Sequence, residues 1–454
     1  MKLYLRCLKG FAVGLCMSLP FGQVQAKPPA NPTAPKAGAP PASAGHKTHS
    51  SSKDAKPEDG SKGADTSDAL TEAEKKALDK ALGEDNAARG KSDTGSAASA
   101  PVQTVPPGAN AMNPAIALIL DTALAWFSID DVSQMQGGAH DPSRTGFTFQ
   151  QLEMHVSASV DPYFSLTANL VFSQFGVEIE EAFAKSLGLP GGLQLRAGQF
   201  LSRFGRVNPT HPHAWAFSDQ PIALSRFFGG EGNRGLGAEV SWLAPTPWML
   251  ELIASVQMPE GECCTRSNLG GLAFEVNGPE DLLYTVALKQ FYDLGPDWGL
   301  SWGLSAQFGP ASTGLGNRSE IYGTDLYLRY RPVSNPDRMA LSLHFEFFLR
   351  GRQFPGTSRI DYATLTQLIY TIDPRWEVGL RHEYLLALED DPLDPEQEGD
   401  RHRTSAQVTF RPSHFSRVRL QGNWDRADWR QPRDAFGVIL AVEFLIGAHG
   451  SHDY

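Results

Sequence analysis

His211-Pro-His213 sets two imidazoles two positions apart, in a stretch that also carries Arg203, Arg206, Asp219, Arg226, Glu231 and Arg234. Imidazole suits zinc, but a zinc site takes three or four ligands, so Asp219 or an acid from an opposite wall would have to complete it. The pair alone therefore sets no metal, and His211 and His213 stand only as weak candidate ligands beside the ordinary reading of hydrogen-bonded or exposed histidines. His449 and His452 are in the same position. Past the first 26 residues the cysteines are Cys263 and Cys264. An adjacent pair can close only a strained ring, and a loop disulfide in an oxidising compartment is the expectation. No G-x-S-x-G, H-E-x-x-H, Walker loop or Rossmann glycine run occurs, so the expectation is a protein that is not an enzyme and needs no cofactor.

What remains is electrostatics. Residues 111–454 carry 26 basic and 40 acidic side chains, and 24 of the 26 are arginine. Such a balance disfavours nucleic acid, while the arginine fork favours carboxylate and phosphate partners. Many of these charges sit at every second position of apolar segments. In the run Leu341–Arg350, Leu341, Leu343, Phe345, Phe347 and Leu349 share one face, and Ser342, His344, Glu346 and Arg350 the other. A charge is costly against lipid and at home in a lumen, so this alternation assigns an outer and an inner face. The same rule turns Glu178, Glu180, Arg196, Arg329, Arg331, Arg350, Arg381, Glu383, Arg417 and Arg419 inward, and makes them the expected pore lining. Alternation fails at Glu181, which reads as a bulge.

The elements that carry these residues are alternating segments of about 10–14 residues separated by turn chemistry, with no apolar run long enough for a transmembrane helix. They run Ala115–Phe127, Phe147–Val160, Phe164–Phe175, Val177–Leu187, Leu193–Gln199, Leu236–Ala244, Trp248–Met258 and Leu282–Tyr292. They continue as Gly299–Phe308, Ile321–Arg331, Met339–Arg350, Arg359–Ile372, Trp376–Leu388, Arg401–Arg411, Arg417–Asp425 and Phe436–Ile446. This predicts an all-β chain, a transmembrane antiparallel up-and-down barrel of about 16 strands, with 14–18 compatible with the same pattern. A further apolar piece, Leu269–Val276, belongs to a loop, because single-chain barrels have even strand numbers. Short Pro-containing turns alternate with long connections, which assigns the short turns to the periplasm. Trp242, Trp248, Trp298 and Trp376 gather at those turns as an interfacial girdle would.

The run IEEAFAKSLGLPGGLQLRAGQFLSRFG (179–205) resembles the hairpin of phosphate-selective porins, in which an acidic strand and a G-L-x-L-R-x-G-x-F strand precede an inward loop. The opening MNPAIALILDTALAWFS, the HPHAW segment and the closing GAHGSHDY resemble a family of Gram-negative outer-membrane proteins sometimes labelled zinc-regulated TonB-dependent receptors. The resemblance covers about Met112–Tyr454 and implies a porin-type barrel. Lysine clusters expected of a phosphate-selective pore are absent, since only Lys185 and Lys289 lie in 111–454.

Residues 1–26 read as a secretory signal: Lys2, Arg6 and Lys9, then a short apolar core, then Val24-Gln25-Ala26. Export of the Sec type to the Gram-negative outer membrane follows. Residues 27–110 are rich in Ala, Pro, Gly, Ser and charge, contain no aromatic residue, and read as a disordered linker. An island at 70–83 has a capping box, Thr71 and Glu74, and an apolar stripe, and predicts a short helix. The barrel occupies 111–454.

The function this predicts is a porin-like channel for passive diffusion of small hydrophilic or charged solutes. The 200–234 stretch, with Arg203 and Arg206 at its start and six aromatic anchors, forms its constriction. The partners are then outer-membrane lipid and small solutes or ions, with a homotrimer left open. The competing readings are a TonB-dependent receptor, with a zinc connection implied by the family label, and a structural or adhesive barrel. A receptor would need a folded plug ahead of a barrel of about 22 strands; residues 27–110 are low-complexity.

Overall fold

The computed structural model describes residues 114–174, 176–259, 264–268, 276–311, 313–335, 339–388, 391 and 397–447. The segments 1–26 and 27–110, the helix at 70–83, Cys263, His449, His452 and nearly all of Leu269–Val276 lie outside them.

Within the described residues the alternating segments become sixteen antiparallel strands closed into a barrel, β1 pairing with β16. The strands are β1 Ala115–Phe127, β2 Gly146–Ser159, β3 Phe164–Phe172, β4 Val177–Ser186, β5 Leu193–Leu201, β6 Arg234–Leu243, β7 Met249–Gln257 and β8 Leu283–Asp293. The other eight are β9 Trp298–Pro310, β10 Arg318–Tyr330, β11 Ala340–Phe354, β12 Thr357–Thr371, β13 Trp376–Ala387, β14 Gly399–Ser413, β15 Ser416–Ala427 and β16 Asp434–Gly447. Every predicted strand is present, with ends that differ by a few residues. Arg331 falls one residue beyond β10, where its N–H bonds to the Asp297 carbonyl in the adjoining turn. It therefore stands at the rim, not in the wall.

Up-and-down order puts alternate connections at opposite ends. One end carries the short turns, the other the long connections 128–145, 202–233, 258–282 and 388–398. The side chains sort as the alternation dictates. Outward Leu343, Leu368, Leu380, Leu420 and Leu440 are 38–52% exposed, whereas inward His344, Glu346 and Arg350 are buried. A soluble protein would not present such a belt; a lipid-facing barrel must. At the short-turn end Trp298 packs on Tyr330 and Trp376 on Phe410, ring centroids 4.7 and 4.6 Å apart. These pairs form the expected aromatic girdle.

The irregularity at Glu181 is a β-bulge. Asn169 pairs with Glu181 and Leu170 with Ile179, so Glu180 has no partner in the register. Two consecutive glutamates, Glu180 and Glu181, are consequently buried on the inner side. Below the bulge β4 meets β5 over only four residue pairs. The Glu181 carboxylate then accepts the Leu201 N–H at 2.7 Å, in place of a ladder bond, where the chain leaves the wall.

Candidate functional site in the barrel lumen

The 202–233 connection runs into the lumen. Apolar burial gives the physical reason. Phe204, Val207 and the seven-residue helix α1 (Ile222–Phe228) pack against an apolar patch on the inner wall formed by Ile321, Phe348, Ala363, Leu365 and Leu385. Phe204 lies stacked on Phe348, centroids 6.0 Å apart, with Phe228 edge-on at 6.3 Å. Burying side chains of this size stabilises by about 1.5–3 kcal/mol each, which seats the loop against the wall. The sequence reading missed this patch. Its visible signal is Phe348, an aromatic on the otherwise charged face of β11.

Polar groups fix the remainder. Glu346 accepts the N–H groups of Arg206 and Val207, both at 2.7 Å, and Glu383 accepts that of Ile222 at 2.6 Å. The Ser305 hydroxyl accepts the Gly205 N–H at 3.0 Å. Asp219 is a further buried anchor. Its carboxylate meets Arg381 at 2.5 Å and Arg403 at 3.2 Å, and accepts from Gln421 at 2.7 Å and Asn423 at 3.0 Å. Burial opposes ionisation there, but the two guanidiniums hold the Asp219 carboxyl below its ordinary range. Asp219 thus clamps the loop to β13, β14 and β15. It does not join the histidines; of the two completions open from sequence, Asp219 or a wall acid, the fold brings only wall acids to them.

The predicted lining residues divide by what they touch. Arg350 pairs with Asp361 at 2.5 Å in a fully buried cluster with Arg352 and Asp391. Arg381 also contacts Glu383, at 3.0 Å. Arg417 bonds to Glu443 and to the His213 carbonyl, and Arg419 to the carbonyls of Trp215 and Ala216 at 2.8 and 3.0 Å. Glu178 accepts from Arg234. Arg206 lies over the Tyr327 ring at 3.8 Å. The expectation of a water-filled charged lumen is corrected here: at the level of the loop most wall charges are buried against it. Water reaches the lining towards the short-turn end. Arg196, Glu251, Lys289 and Arg203 keep 13%, 17%, 20% and 25% of their side-chain surface exposed, and Arg329 is exposed. Arg203 bridges Glu239 at 3.1 Å and Glu251 at 2.9 Å.

A small cavity lies between loop and wall. It measures about 20 Å³, room for a water molecule, and is lined by Asp121, Asp141, Gln151, Trp215, Arg417 and Glu443 among others. Connection 128–145 closes over this side: Arg401 and Arg403 donate to the Met135 carbonyl, and Asp141 accepts the Gln220 N–H at 2.8 Å.

His211 and His213 come together, rings stacked 5.8 Å apart, in a cluster of glutamates. His211 Nδ1 lies 3.0 Å from Glu180 and 3.8 Å from Glu153, and its Nε2 lies 2.8 Å from Glu181. His213 Nδ1 lies 2.7 Å from Glu153. Asn169 Nδ2 sits 3.1 Å from Glu181 and 3.0 Å from His211 Nε2. Burial works against a charged ring, yet the adjacent carboxylates, Glu180 and Glu153 foremost, raise His211 well above its ordinary value. Glu153 and Glu181 were not picked out as partners from sequence, because nothing in a linear pattern brings β2 and β4 to residue 211. Cys264 is disulfide-bonded and buried.

A protein of Aquifex aeolicus (strain VF5), described as uncharacterized, is 31% identical over 340 residues, 68% of this chain and 71% of its own length. The chain belongs to that protein's family. No family model matches it. Among solved structures it is similar to the high-pH structure of Pseudomonas putida OprB, with a TM-score of 0.52 at 10% identity over 74% of this chain and 94% of that one. It is also similar to an anion-selective porin from Comamonas acidovorans, with a TM-score of 0.50 at 14% identity over 74% and 99%. Identity this low carries the fold: a porin-type barrel of sixteen strands.

Proposed function

We propose that the chain is an outer-membrane porin-type channel for small hydrophilic or charged solutes, narrowed by its own 200–234 stretch. The observation that carries this reading is the inward course of that stretch, clamped through Asp219 to Arg381 and Arg403 and packed on the wall through α1. A solute entering from the short-turn end meets the exposed Arg329 and then Arg196, Arg203, Glu251 and Lys289. Opposite charges fixed in a narrow, partly desolvated passage act on an ion far more strongly than they would in bulk water, so ion preference is decided there and along the Asp121–Arg417–Glu443 seam. The narrow seam implies a small conductance in the seated state. A receptor of the TonB type is less well supported, because the lumen is occupied here by a loop of the barrel itself. The testing experiment is planar-bilayer recording on refolded protein, reading conductance and reversal potential under a salt gradient. Discrete conducting steps with a defined ion preference support the proposal; a folded barrel that never conducts at any voltage refutes it.

A further inference from the structure

We propose that the lumen contains a divalent-cation site, with Glu153 of β2, Glu180 of β4 and Nδ1 of His211 in the inward loop as ligands. The three offer ligand atoms that all lie within 4.8 Å of one another, and all three residues are buried. Their placement follows from the fold. Glu153 stands on the inner face of β2, the bulge in β4 turns both Glu180 and Glu181 inward, and the loop delivers His211 between the two strands.

The geometry of the imidazole makes the case. A neutral imidazole has one N–H and one lone pair. Nε2 lies 2.8 Å from Glu181 and 3.0 Å from the Asn169 amide nitrogen; with a metal at Nδ1, the Nε2 proton would go to Glu181 and the Nδ1 lone pair would face Glu180 and Glu153. Three electron-rich atoms then converge on one buried point, an arrangement stable only around a cation. Glu181 occupies the place of the outer carboxylate that holds a metal-bound histidine in its tautomer. The bulge therefore supplies a ligand and its orienting group from consecutive residues. One imidazole with two carboxylates suits borderline ions such as Zn²⁺ or Co²⁺; Ca²⁺ and Mg²⁺ prefer oxygen alone. A bound ion would join β2, β4 and the loop at one point. The other cation that could sit there is a second proton on His211, and the experiment separates the two.

The full-length refolded protein is equilibrated with excess Zn²⁺, desalted, and its metal content measured beside His211→Gln, Glu181→Gln and, on the outer surface, His382→Gln. The site predicts one Zn²⁺ retained per chain, lost in H211Q, unchanged in H382Q, and held about 10–100-fold more weakly in E181Q. X-ray absorption of the wild-type zinc should show imidazole and oxygen scatterers, a reading that stands even where a variant does not refold. Wild type that retains no more zinc than H211Q, or zinc without imidazole scattering, overturns the proposal in favour of a protonated histidine. Neither outcome bears on whether the barrel conducts.

Discussion

Replacing Asp219 by asparagine keeps the side chain's size and removes one charge from the point where the inward loop is clamped. The carboxylate accepts from two guanidiniums and two amides, and it and both arginines are almost wholly buried. Breaking a buried pair from one side leaves the other charge uncompensated and costs about 3–5 kcal/mol. Since about 1.4 kcal/mol is tenfold in an equilibrium constant, the ratio of released to seated loop should rise by roughly two to three and a half orders of magnitude. The barrel should survive, because its sixteen strands are joined by backbone pairing in which the Asp219 side chain has no part. Single-channel recording should show larger or more frequent conducting states in Asp219→Asn than in wild type, with heat-modifiable gel mobility confirming a folded barrel. Adding Arg403→Gln should recover part of the loss, since one stranded charge is then gone while Asp425 keeps Arg401 and Arg430. A folded D219N barrel with wild-type conductance would show that the clamp does not hold the passage narrow.

Removing Arg203, which bridges Glu239 and Glu251, should move the reversal potential towards cations; Arg426→Ala, an exposed charge beside Asp434, should leave it unmoved because such charges are screened within about 8–10 Å. Burial, and then the charge of Asp219, push the Asp141 carboxyl in connection 128–145 up to about 6. A raised carboxyl penalises closure fully above its folded value and relieves the penalty as pH falls towards its ordinary 3.8, so conductance should drop between pH 7.5 and pH 5, and Asp141→Asn should flatten that response. Single cysteines at Leu315, 87% exposed in a long-end connection, and at Asn335, in a short turn, should label from outside intact cells and from the periplasm respectively; the reverse pattern would invert the barrel. Phe204→Ala should cost the loop about 3–5 kcal/mol of seating and expose it to limited proteolysis, while a loop that stays protected would mean α1 and the polar clamps suffice.

The wall was legible because period-two alternation acts locally. In β11 each residue's neighbours at positions i±2 already declare its face, so Leu343 and Glu346 could be assigned without knowing what lay opposite. The bulge was legible for the same reason, since consecutive glutamates cannot both obey alternation. The occupant of the lumen was only partly legible. The length and aromatics of 200–234 marked it as an ordered loop, but its partners are scattered along the chain, from Glu181 for His211, 30 residues away, to Asn423 for Asp219, 204 residues away. No local pattern encodes such pairings. Asp219 showed this most clearly: read beside His211 and His213 it resembled a third ligand, whereas its partners are two arginines from the far wall. Arg430 shows the same: it lies in a connection between strands, yet the fold buries it against Asp425 at 2.7 Å.

These pairings change what the charge balance means. Residues 111–454 hold fourteen more acidic than basic groups, and the alternation alone would spread both signs along an aqueous wall as facing rows. In the fold many of the arginines have other work. Arg350, Arg381 and Arg403 are sealed in ion pairs, and Arg417 and Arg419 hold loop carbonyls, so their fields are largely consumed within the seated loop. A charge already matched by a partner at hydrogen-bond distance presents a dipole to a distant ion, and a dipole's reach is short. Among the described residues of the short-turn half, groups with partial exposure include Arg196, Arg203, Glu251, Lys289 and Arg329. On the proposed channel function these five positions are the ones to decide selectivity, while the many buried charges hold the loop down.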